Sequence, residues 1–91
     1  MSRSLNYNKA INPVLISSFY VEDGMLFRMM VNVDGGSLVE KEFYAPIQND
    51  VVKVSMIVDY DDNLFLSYED MLEIKSYLKS ISRQTIWNIC N

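Results

Sequence analysis

The chain has 91 residues, of which 49% are hydrophobic and 22% charged, a balance that excludes a disordered polymer and leaves room for one core but not two. Twelve acidic residues against eight basic ones give a net charge of −4, which opposes nonspecific attraction to phosphate backbones or anionic lipid. There is no histidine and a single cysteine, Cys90, so the commonest metal ligand is missing and a cysteine nucleophile or thiolate zinc site would lack partners.

Residues 1–13 are polar and rich in asparagine, and they read as an N-terminal arm ended by Pro13. No run of apolar residues near Met1 has signal-peptide length, and none elsewhere approaches a membrane span, so a cytoplasmic protein without membrane contact is expected. One unpaired cysteine fits a reducing compartment.

The first clear unit is a hairpin. Val14 to Glu22 and Met25 to Val33 read as strands joined by Asp23-Gly24, a pair suited to a two-residue type I′ turn. That turn predicts Tyr20 opposite Phe27, Ser18 opposite Met29, Ile16 opposite Val31 and Val14 opposite Val33, all on a core face. The other face then carries Leu15, Ser17, Phe19 and Val21 with Leu26, Arg28, Met30 and Asn32.

Asp34-Gly35-Gly36 makes the next turn. A three-residue loop there predicts Val39 opposite Val31 and Phe43 opposite Phe27, because a two-residue loop would turn Glu40 and Glu42 into the core. Lys41 then points inward near Met29, with its amine expected to reach water at an edge. Pro46 is read as a break, and Val51 to Asp59 as a fourth strand alternating Val52, Val54, Met56 and Val58 with Lys53, Ser55, Ile57 and Asp59. Ser67 offers an N-cap with Asp70 at the capping-box position, and Met71, Ile74, Leu78 and Ile81 place an amphipathic helix over about 68–81. The tail, Thr85 to Ile89, is apolar enough to dock as a short strand or as one more turn.

The expected fold is a single α+β domain over 1–91: arm 1–13, sheet 14–66, helix 67–82 and tail 83–91. Its sheet is a four-stranded, mainly antiparallel meander with one C-terminal helix on one face. That helix covers one side, so the other, with Leu15, Phe19, Val21, Leu26, Met30, Leu38 and Tyr44, is left as an apolar surface of the kind that marks an interface unless the arm or tail covers it.

The densest charge cluster is Asp59, Asp61, Asp62, Glu69, Asp70 and Glu73, with no Lys or Arg between Lys53 and Lys75. It can steer a basic partner. A simpler account is that acids at the start of the helix and Lys75, Lys79 and Arg83 toward its end complement the helix dipole. Three basic residues in an acidic chain are too few for direct nucleic-acid binding.

The segment 59–70 resembles an EF-hand calcium loop, with Asp59, Asp61, Asn63, Ser67 and Asp70 at the first, third, fifth, ninth and twelfth places. It departs in having Leu64 where the sharp turn needs glycine, a strand before it, and Asp70 where a longer glutamate is usual. No nucleophile with a base and no phosphate-cradling glycine loop stands out, so neither catalysis nor a cofactor is expected. The expected function is that of a small acidic interaction protein, inhibitor-like or immunity-like, that occludes a basic macromolecular target through Asp59, Asp61, Asp62, Glu69, Asp70 and Glu73 and through Phe19, Leu26, Met30 and Tyr44. The alternatives are a homodimer through the sheet face and calcium binding through Asp59, Asp61, Asn63 and Asp70.

Overall fold

The computed structural model describes residues 11–33, 37–60, 66–82 and 89–90. It is an α+β fold: strands β1 (Val14–Tyr20), β2 (Gly24–Val33), β3 (Ser37–Gln48) and β4 (Val51–Lys53) form an antiparallel meander, followed by a 3₁₀ turn (Val54–Met56), β5 (Val58–Asp59), helix α1 (Tyr68–Ser82) and β6 (Ile89–Cys90). The strand order is β1-β2-β3-β4-β6, and β5 also pairs with β3.

β2 and β3 form the longest ladder. Val31 lies opposite Val39 and Phe27 opposite Phe43, the register that the three-residue spacer 34–36 predicts. Odd-numbered residues of both strands therefore face α1, and Met25, Phe27, Met29, Val31, Phe43 and Ala45 are buried there against Ile74 and Leu78. Burial of each such large side chain contributes about 1.5–3 kcal/mol.

The first hairpin departs from the expected register. Val21 N–H donates to Gly24 O at 2.9 Å, and Tyr20 pairs with Met25, so Glu22-Asp23 forms the turn instead of Asp23-Gly24. Gly24 is drawn into β2 opposite Pro46, where a Cβ would lie 2.4 Å from Ala45 O. The backbone contact with β3 thus claims the glycine that the turn would otherwise use. A bulge between Leu15 and Ser17 then moves Leu15 to the core side, while Val14 pairs with Met30 and Ile16 stays exposed. The expected inward positions of Val14 and Ile16, and the outward one of Leu15, are corrected accordingly.

Pro46 does not end β3, which continues to Gln48. The break falls at Asn49 and Asp50, with φ of 55° and 66°, which close β3 onto β4 in a two-residue turn requiring positive φ at both positions. Nor is Val51 to Asp59 one strand. The 3₁₀ turn splits it, so β4 pairs with the end of β3 while β5 returns to its middle, Phe43 opposite Asp59 and Tyr44 opposite Val58. Val54 and Ile57 are buried, but Met56 and Val58 are exposed, contrary to the alternation.

The start of α1 is a reciprocal cap. Ser67 N–H donates to Asp70 Oδ2 and Asp70 N–H to Ser67 Oγ, each at 3.1 Å. β6 pairs in parallel with β4, Val52 opposite Ile89 and Lys53 opposite Cys90, so the end of the chain adds a strand to the sheet.

Candidate functional site

Two surfaces were expected to carry function, an acidic one and an apolar one. Three of the six acidic residues, Asp59, Asp70 and Glu73, make bonds within the fold. Asp59 lies on the helix side of the sheet, diagonal to Lys41, whose Nζ donates to Asp59 Oδ2 at 2.8 Å with the lysine side chain wholly buried. The lysine amine therefore does not reach water at an edge, and the correction is physical: burial of the amine is offset by a carboxylate at contact distance.

Asp70 belongs to the cap of α1. Glu73 reaches across to the N-terminal segment, its Oε1 accepting from Ile11 N–H at 3.2 Å and its Oε2 from Asn12 N–H at 3.1 Å. Tyr77, one turn on, accepts from Leu15 N–H at 2.8 Å. Between residues 12–14 and α1 lies an open groove of about 480 Å³, lined by Asn12, Pro13, Val14, Glu73, Ser76, Tyr77 and Ser80. Glu69 is exposed, and Asp61, Asp62, Asn63 and Arg83 lie outside the described residues. Of the two ends of the calcium-like loop, Asp59 Oδ2 thus accepts from a lysine and Asp70 Oδ2 from a backbone amide, and the residues between them at 61–65 lie outside the described residues.

The apolar surface is the sheet face turned away from α1. Phe19, Leu26, Met30 and Tyr44, the four apolar residues expected to bind a partner, all lie on it by register, with Phe19 opposite Leu26 and Leu26 opposite Tyr44. Leu38, 66% exposed, extends it at one end, and Val14 lies beside Met30. Val58 and Tyr60 extend it beyond β3. Tyr60 is 58% exposed, its ring 6.2 Å from that of Tyr44, and its N–H donates to Glu42 O.

The middle of this face is charged. Arg28 Nε donates to Glu40 Oε2 at 3.0 Å and Arg28 Nη2 to Glu42 Oε2 at 3.1 Å. Being solvated, these pairs add little stability. Among the described residues of this face, two carboxylates meet one guanidinium inside an aromatic and aliphatic rim. Val58 and Tyr60 escape a reading of the sequence because a continuous strand through 51–59 places Val58 in the core. No family model matches the chain, and no similar curated protein or solved structure was found for it.

Proposed function

We propose that this protein is a small interaction module that works by occlusion, laying its helix-free sheet face over a surface of a macromolecular target. The observation that carries this is the one-sided sheet: Phe19, Leu38, Val58 and Tyr60 are exposed on a single face, with Leu26, Met30 and Tyr44 half-buried among them. Aromatic rings and methionines supply large contact area that adapts to a partner, and the patch is more extensive than scattered surface apolar residues. The excess of Glu40 and Glu42 over Arg28 on this face, together with the net charge of −4, favours a basic partner, as in an inhibitor or immunity-like protein.

The test is affinity capture from the cell that makes the protein, comparing the native chain with Phe19→Asp and Leu38→Asp. A specific partner retained by the native chain and lost from both variants, with circular dichroism unchanged, supports the reading. Equal retention by the folded variants would refute it.

A further inference from the structure

A second surface of a different kind lies along β1, which is an outer strand of the sheet. Val21 and Gly24 form a hydrogen-bonded pair at the turn, so the alternation of an antiparallel ladder makes Phe19 with Leu26, and Ser17 with Arg28, the next hydrogen-bonded pairs. Ser18 and Tyr20 therefore turn their N–H and C=O groups away from β2, and neither finds a backbone partner on that side among the described residues. Farther back, the Tyr77 hydroxyl takes the Leu15 N–H, which closes the edge at that point. The open stretch is Ile16 to Tyr20, with Ile16 49% and Tyr20 63% exposed.

The usual protections of an edge strand, a charged side chain or a proline within it, are absent from this stretch. There is no charged residue between Lys9 and Glu22 in a chain that is otherwise 22% charged. Main-chain donors and acceptors in line call for another extended strand, and the geometry points to β1 of a second copy as that strand. A two-fold axis through Ser18 pairs it with itself and sets Tyr20 against Ile16 of the other copy, an aromatic and β-branched pair of the stabilising kind. In that register Glu22 and Asp23 fall beyond the paired stretch Ile16 to Tyr20, so no charged residue lies within it. The inference does not rest on the sheet-face reading, which involves different side chains.

Sedimentation equilibrium of the full chain from micromolar to millimolar concentration tests it, with amide exchange followed over the same range. The molar mass is expected to double at the upper end, with slowed exchange at Ser18 and Tyr20. Ser18→Pro removes an N–H that points away from β2, and Tyr20→Lys places a charge in the contact; each is expected to remain monomeric. Should Ser18→Pro fail to fold by circular dichroism, Tyr20→Lys and the native exchange data decide. A native chain that stays monomeric at millimolar concentration overturns the proposal, as does a dimer retained by Tyr20→Lys. A dimer whose concentration-dependent protection falls on β3 instead of Ser18 and Tyr20 overturns it too.

Discussion

Lys41 is set in a layer of Met29, Phe43 and Val31 with its side chain wholly buried, and Asp59 accepts from its Nζ at 2.8 Å. Taking two charges out of water costs several kcal/mol per ion before their attraction returns it, so the pair adds little net stability while each member depends on the other. Asp59→Ala, which removes this carboxylate from beside the buried ammonium, is expected to lower stability by about 3 kcal/mol in urea unfolding. The double variant Lys41→Met, Asp59→Leu is expected to regain most of that loss, because the apolar pair has no desolvation to offset. A double variant no more stable than Asp59→Ala would show that the pair is not the cause. Asp59 Oδ1, buried and without a hydrogen-bond partner, is a further cost that the leucine removes.

At the scale of elements, the two ends of the described chain are tied to the sheet by different means. Residues 11–15 are held by α1: Glu73 accepts two backbone amides, Tyr77 accepts a third, and Ile11 O takes the Asn32 N–H at 2.7 Å. Glu73→Ala should destabilise the protein by about 1–3 kcal/mol, the range for amides left without their charged acceptor. Amide exchange at Ile11 and Asn12 should speed up well before exchange at Phe27. Uniform change across the sheet would instead mean that Glu73 serves the helix alone. The same element-level logic applies to Glu22-Asp23 and Gly24. A hairpin turn and a strand crossing compete for one glycine, and the crossing prevails because no other residue fits against Ala45 O.

At the scale of the molecule, the described sheet is two-sided. One side of the sheet is covered by α1 and by the segment entering β1, and the other presents apolar residues around an Arg28 pair with two glutamates. A partner docked there would bury the Glu40 and Glu42 carboxylates, so a basic surface would be steered toward them. Association with a captured partner is expected to slow as salt rises from about 0.05 to 0.5 M, where the Debye length shrinks below the reach of such steering. Glu40→Gln should reduce that slope while changing the dissociation rate less. An association rate indifferent to salt would remove charge from the account and leave the apolar rim as the basis of recognition.

The amino-acid pattern by itself determined the α+β class, the β2–β3 register, the cap and extent of the helix, and the side of the sheet on which Phe19, Leu26, Met30 and Tyr44 lie. Those features are local: period-two alternation, a spacer of known length, a serine three residues before an aspartate. The bulge that brings Leu15 inward, the 3₁₀ turn that frees Val58 and Tyr60 for the open face, and the diversion of Asp59, Asp70 and Glu73 into internal bonds were decided only by tertiary structure. The 3₁₀ turn and the internal bonds depend on partners far away in the chain, β5 against the middle of β3 and Glu73 against Ile11, and apolar periodicity carries no information about which distant backbone group a side chain will meet.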